Sequence, residues 1–196
     1  GISLIGDIQE RIRLIDSKGY EHKAKLTILK EAARTLSYLT ENNLLQYADL
    51  EKKVEDVHSS YDRTGKELKV VEARLREVQP LIKNISNYQR LKPVYDAFQK
   101  AKDKPGFKAK HEAELVIFEA ARSTLLAMQD DEKLPSLKTL QAEQQRLLEE
   151  QQRLYDERAK LKKEARMIDT MKANVDIFLK PSVVQEPEQI RDNQRE

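Results

Sequence analysis

The chain has no cysteine and no tryptophan among its 196 residues, and only five glycines. Without cysteine there are no disulfides, thiolate metal sites or thiol nucleophiles. A reducing compartment is compatible with that, and the chain is expected to be cytoplasmic. The few glycines occur in no repeated motif, so no phosphate-cradling loop is present. No apolar run approaches the length of a membrane span. No secretory leader is visible, because the apolar stretch from Ile2 to Ile8 is short and runs into mixed charge. Gly1 reads as a remnant of tag cleavage, which places the natural N-terminus upstream. Aromatics make up 6% of the chain and charged residues 36%, and mean hydropathy is −0.75. That balance suits narrow helical seams better than a compact globule.

What is abundant is heptad periodicity. Leu50, Val54, Val57, Tyr61, Thr64, Leu68, Val71, Leu75, Val78, Ile82 and Ile85 alternate in steps of four and three, with Thr64 the one polar member. Leu140, Leu147, Leu154, Leu161, Ile168 and Val175 recur every seven residues. A sustained period of 3.5 marks a helix that lays one narrow seam against a partner. Each track covers about forty residues, or roughly 60 Å of helix. If the chain folds back between them, the tracks pair antiparallel, with Leu68 and Val71 meeting the second track near Leu154.

Charge is segregated along the chain. Residues 66–110 hold about 12 basic and 5 acidic residues, residues 111–157 about 5 and 11, and residues 158–180 about 7 and 3. In an antiparallel pairing, the basic part of the first track faces the acidic start of the second. The basic end of the second track then faces acidic Asp49 to Asp62. Such pairing beside a seam fixes orientation and register.

Ile2 to Ile15 reads as a first helix, ended at Ser17-Lys18-Gly19, since glycine readily takes the left-handed cap conformation. A second helix spans about His22 to Thr40, and Glu41-Asn42-Asn43 is a loop. The long third helix starts near Tyr47 or Ala48, with Asp49 and Glu51 suited to the positive end of its dipole. The heptad pattern passes Pro80 without a phase shift, so Pro80 is a kink within one helix and not its end. Pro93 marks a further bend or a helix start. Lys102 to Gly106 is the clearest breaker. A helix from about Ala109 to Met128 follows, then a charged loop from Asp130 to Lys133. The last helix is capped by Ser136 and runs to about Leu179. Pro181 stops it, and the tail beyond reads as disordered.

The expected architecture is all-α: an elongated antiparallel two-helix coiled-coil hairpin, with shorter helices at its tip and at the N-terminus. Its parts are an N-terminal helical pair (1–43), the hairpin (44–180) with a helical tip (about 88–133), and a tail (181–196). Tyr88, Tyr95, Phe98, Phe107 and Phe118 fall in the tip.

Signs of catalysis are sparse. His22, His58 and His111 are far apart in sequence. His111-Glu112 opens like a zinc-protease motif, but Leu115 stands where the second histidine is needed. Asp130-Asp131-Glu132 lacks the surroundings of a calcium loop. The chain is expected to have no catalytic residues, no cofactor and no metal site, and no small-molecule substrate or membrane partner. The best binding candidate is the basic run Lys100, Lys102, Lys104, Lys108 and Lys110, in which Asp103 is the one acidic residue. Clustered lysines attract nucleic-acid phosphates without reading sequence, and Phe107 offers a stacking surface. The plainer alternative is a solvated loop with Phe107 packed inward.

Several fragments, taken in order, resemble the C-terminal half of relaxase/mobilisation nucleases of mobile elements. They are Gly19-Tyr20-Glu21 with Ala24-Lys25, then Ala32-Ala33-Arg34-Thr35-Leu36-Ser37-Tyr38-Leu39, then Tyr47 with Leu50. His111-Glu112 with Ala120-Ala121 follows, then Leu134-Pro135-Ser136 with Leu140, and Leu154-Tyr155. The resemblance spans about Asp7 to Leu179. It implies the accessory region of an enzyme that nicks one DNA strand through a tyrosine, with a histidine-bound metal. That chemistry belongs to an N-terminal nuclease domain, and nothing here matches its clustered histidines. Tyr20 and Tyr38 match motif positions with no known catalytic role. The implied partners are DNA and proteins of the conjugative-transfer machinery. The alternative is a coiled-coil protein–protein scaffold with no nucleic-acid role.

Overall fold

The computed structural model describes residues 3–17, 22–128 and 135–180, and every regular element among them is helical. The helices are α1 (Leu4–Ser17), α2 (His22–Glu41), α3 (Tyr47–Lys100), α4 (Lys104–Lys110), α5 (Glu112–Ala127) and α6 (Leu137–Leu179). The stop signal at Gly19, the charged stretch Asp130–Lys133 and the tail 181–196 lie outside the described residues.

Local chemistry sets the helix ends. Asn43 takes φ 55°, a left-handed conformation that asparagine tolerates better than most residues. The Leu44 N–H then donates to the Leu39 carbonyl at 2.8 Å, and the Asn42 amide to the Tyr38 carbonyl at 2.9 Å. These bonds satisfy carbonyls that the end of α2 would leave open. At the start of α3 the Asp49 carboxylate accepts from the Gln46 N–H at 3.0 Å. Ser136 Oγ accepts from the Thr139 N–H at 3.2 Å and caps α6. α3 continues through both Pro80 and Pro93, so neither proline starts or ends a helix.

The chain divides into two compact units, Gly1–Arg63 with Glu157–Glu196, and Thr64–Asp156. The division crosses both long helices. In the first unit, Leu4 and Ile8 of α1, Leu39 of α2, Leu44, Leu50 and Val57, and Ala165, Ile168 and Val175 of α6 form one core. Ile15, Ala32 and Phe178 form a second, smaller cluster. Fully burying a side chain of this size stabilises by roughly 1.5–3 kcal/mol. In the second unit, Leu68, Val71 and Leu75 pack with Leu154, so the expected meeting of Leu68 and Val71 with Leu154 is present. Val78, Leu81 and Ile85 pack with Leu125 of α5 and Leu140 of α6. Within each unit α3 and α6 run antiparallel, since rising numbers on α3 meet falling numbers on α6.

A two-helix coiled-coil hairpin is nevertheless not what forms. Six helices form, and third partners lie against the α3–α6 pair in both units: α1 and α2 in the first, α5 in the second. The reason is visible in the buried faces. A two-stranded coiled coil buries one narrow stripe per helix. Here α6 buries Ala165, Ile168, Met171, Val175 and Phe178, a broader face that α1 and α2 help to cover. On α3, Leu81 lies off the heptad track and is buried with Leu125 of α5. The heptads mark where α3 and α6 meet, but they are silent on helices that pack from the side. The single helix expected over Ala109–Met128 is likewise two, because the chain breaks between Lys110 and Glu112.

Candidate nucleic-acid interface

The lysine run is built on a turn that consumes its own negative charge. α3 ends at Lys100, and the Ala101 N–H closes back on the Phe98 carbonyl at 3.2 Å. Asp103 is the N-cap of α4, and its Oδ1 accepts from the Gly106 N–H at 3.1 Å. Pro105 sits in the first turn, where its missing N–H costs nothing. A Cβ added at Gly106 would clash with Asp103 Oδ2, so glycine lets the carboxylate close over the helix end. His111 closes α4 by donating its N–H to the Phe107 carbonyl at 3.0 Å. Its own carbonyl accepts from Leu115 at 3.0 Å and opens α5.

All five lysines of the run are exposed. Lys100 lies in the last turn of α3, Lys102 in the connection, and Lys104, Lys108 and Lys110 in α4. Lys104 and Lys108 are four residues apart and share a helix face. Among the described residues, no ion pair engages any of the five; the neighbouring pairs are Lys92–Asp96 and His111–Glu114.

Phe107 is half-buried. Its ring stacks on the His111 imidazole with centroids 4.4 Å apart and leans on Phe98 at 6.1 Å. One of its faces is thereby taken. Tyr88 and Tyr95 both stack on Phe118, at 5.1 and 4.5 Å. Arg122 donates to the Tyr95 hydroxyl at 3.0 Å. Beside α4 lies a concavity of about 410 Å³ lined by Tyr95, Phe98, Leu115 and Val116 together with Lys108, Glu112 and Glu119. Reading the sequence for charge alone misses this feature. Its signal is Val116, an apolar residue set between Glu112 and Glu119 on one face of α5 and 61% exposed.

The remaining polar constellations cross between helices and hold them in register. In the first unit the Tyr47 hydroxyl donates to Asp176 at 2.6 Å, and Lys172 reaches the other carboxylate oxygen at 2.8 Å. That bond to Asp176 raises the Tyr47 pKa, and burial adds to it. Burial pushes Asp176 up, but Lys172 and Tyr47 together hold it below its ordinary value. Lys53 meets Glu164 at 3.3 Å, and His58 meets Asp169 at 2.8 Å. Asn174 donates to the buried Thr35 hydroxyl at 3.2 Å. In the second unit Arg74 grips Glu143 with two nitrogens, at 2.5 and 3.1 Å, and the hydrogen bonds depress the Glu143 carboxyl. The Tyr155 hydroxyl donates to Glu72 and lowers its pKa.

These pairs correct the expected charge pattern in part. Arg74–Glu143 has the expected sense, basic on α3 and acidic on α6. Lys53–Glu164 and His58–Asp169 have the same sense, although α3 is acidic and α6 basic in that region. Regional charge averages over all faces of a helix, while only residues flanking the contact decide the pairing. The Asp49 carboxylate, for its part, caps α3.

Among the described residues, no three histidine, cysteine or acidic side chains converge on a metal site. His111 Nδ1 faces Glu114 at 3.2 Å, while Asp130-Asp131-Glu132 lies outside the described residues. No described helix is long and apolar enough to cross a membrane. Comparison with known proteins finds no matching family model, no matching curated protein and no matching solved structure. The relaxase, mobilisation and conjugation terms therefore gain no support from comparison and rest on the resemblance alone.

Proposed function

We propose that this chain is a non-catalytic helical module that holds DNA through the lysine run at the junction of α3 and α4. The observation that carries this reading is the state of charge there. Five exposed lysines stand in residues 100–110, and the one carboxylate among them is engaged as the α4 cap. Such a surface neutralises phosphates and reads no sequence. The resemblance supplies a setting: the accessory region of a cytoplasmic DNA relaxase, with transfer-machinery proteins as further partners. The test is a salt titration of binding to labelled duplex DNA. Five phosphate contacts give a log–log slope of roughly −4 to −5. Replacing all five lysines with glutamine should flatten it and leave helicity unchanged. Absence of binding at low salt contradicts the reading.

A second reading, a protein–protein interaction module with no nucleic-acid role, has its own observation. The outer face of α5 carries Ala113, Val116, Ile117, Ala120, Thr124 and Ala127, all exposed and none charged. An apolar helix face in water is a common mark of a protein partner. The same titration separates the two, because this reading expects no DNA binding at any salt.

A further inference from the structure

We propose that the concavity beside α4 receives an unpaired nucleobase, so that the lysine run binds single-stranded DNA in preference to duplex. This rests on the DNA-binding reading and narrows it to a substrate class. The concavity has the two parts that single-strand sites combine, a cationic track and an aromatic surface. Lys108 lines it, and Lys104 lies one turn away on the same α4 face. Tyr95 and Phe98 are the aromatic residues of its lining. Tyr95 has one face stacked on Phe118 and the Arg122 guanidinium 5.5 Å from its centroid, while among the described residues the ring contact of Phe98 is the tilted one with Phe107. Phe98 is therefore the better platform, and Phe107, covered by His111, is not.

A base in a duplex has both faces stacked on its neighbours and cannot lay one on Phe98. An unpaired base can, and about 410 Å³ leaves ample room for it. Val116, 61% exposed, supplies an apolar wall that a phosphate would not use. The two glutamates of the lining set the orientation. Glu112 and Glu119 are seven residues apart on α5 and so lie on one face, about 10.5 Å apart along the axis. They repel phosphates from the α5 side, and their carboxylates accept hydrogen bonds from exocyclic amino groups of a base. The backbone then lies along α4 and the base points towards α5.

The experiment measures fluorescence anisotropy of the full chain with three probes at one low salt concentration. These are a labelled mixed-sequence single strand of about 20 nucleotides, its duplex, and the same strand with abasic sites. The expected result is single-strand binding about 5- to 100-fold tighter than duplex binding, the range that one to a few stacked bases supply. The abasic strand, with its phosphates intact, should fall towards the duplex level. Phe98→Leu, which keeps an apolar side chain and removes the stacking face, should bring single-strand affinity towards the duplex level. Equal affinity for intact and abasic strands, or for single strand and duplex, overturns this inference and leaves the DNA-binding reading standing. No binding of any probe overturns both.

Discussion

The first unit and the α3–α4–α5 junction of the second spend their charge in opposite ways. In the first unit basic side chains of α3 meet acidic ones of α6, Lys53 on Glu164 and His58 on Asp169, while Tyr47 of α3 reaches Asp176, which Lys172 of the same helix α6 also engages. At the junction the one carboxylate of the lysine run is turned onto a backbone N–H, and the five lysines face solvent with no ion pair among the described residues. Charge in the first place serves register. In the second place the carboxylate serves a helix cap, and the lysines pair with no carboxylate among the described residues. A surface ion pair is worth only about 0–1 kcal/mol, so neither arrangement governs stability. What differs is the electrostatic potential each leaves over the surface.

The comparison can be broken first through the cores, which should carry the stability of both units. Phe118 is 2% exposed and stacks on both Tyr88 and Tyr95. Phe118→Ala should cost about 3–5 kcal/mol, the range for a buried aromatic removed from a packed site. Ile168, fully buried in the first unit, should cost about 2–5 kcal/mol on change to Ala. Urea denaturation followed by circular dichroism checks both. A loss under 1 kcal/mol at either site would mean that the packing described for that unit is not formed in solution.

Next in size is the α4 cap. Asp103→Ala should cost about 0.5–2 kcal/mol of local stability, as for other lost N-caps, read as faster amide exchange at Gly106 and Phe107. Gly106→Ala should also destabilise the turn, because its Cβ would meet Asp103 Oδ2. In the Asp103→Ala background the glycine substitution should cost less, a coupling that a double-mutant cycle resolves. Additive effects would mean that the carboxylate does not sit over Gly106.

The smallest effect is acid sensitivity at Arg74–Glu143. Two hydrogen bonds from Arg74 hold the Glu143 carboxyl below its ordinary 4.5. The stabilisation is therefore present above that value and is lost as pH falls through the depressed one. Arg74→Met should return the Glu143 titration, followed by carboxyl NMR, towards 4.5, with a stability loss of about 0.5–1 kcal/mol near neutral pH. That loss should shrink in acid. An unmoved titration would show that the pair does not form in solution.

Much of the helical framework was legible in the sequence. The heptad residues of α3 and α6 are buried or half-buried, because a 3.5-residue period encodes a helix face directly. Ser136 and the passage of α3 through Pro80 were legible for equally local reasons. The helices that pack from the side were not. The isoleucines of α1 announce an apolar face, but nothing in their spacing says that Ile8 shares a core with Ile168. The lysine run was plain as charge, and its exposure agrees with its composition. The concavity was hidden because Phe98 belongs to α3, Lys108 to α4 and Val116 to α5, and only the turns at Asp103 and His111 bring them together.

DNA binding at the junction would rest on its five exposed lysines. The most direct measurement is the salt dependence of DNA binding by the intact chain, set against the variant with Lys100, Lys102, Lys104, Lys108 and Lys110 all changed to Gln. Weak binding is expected, on the order of 10⁻⁴ to 10⁻⁶ M at physiological salt, strengthening sharply as salt is lowered, with a flatter salt dependence in the variant. A chain that binds no DNA at low salt, or whose salt dependence is the same with and without the lysines, would contradict it.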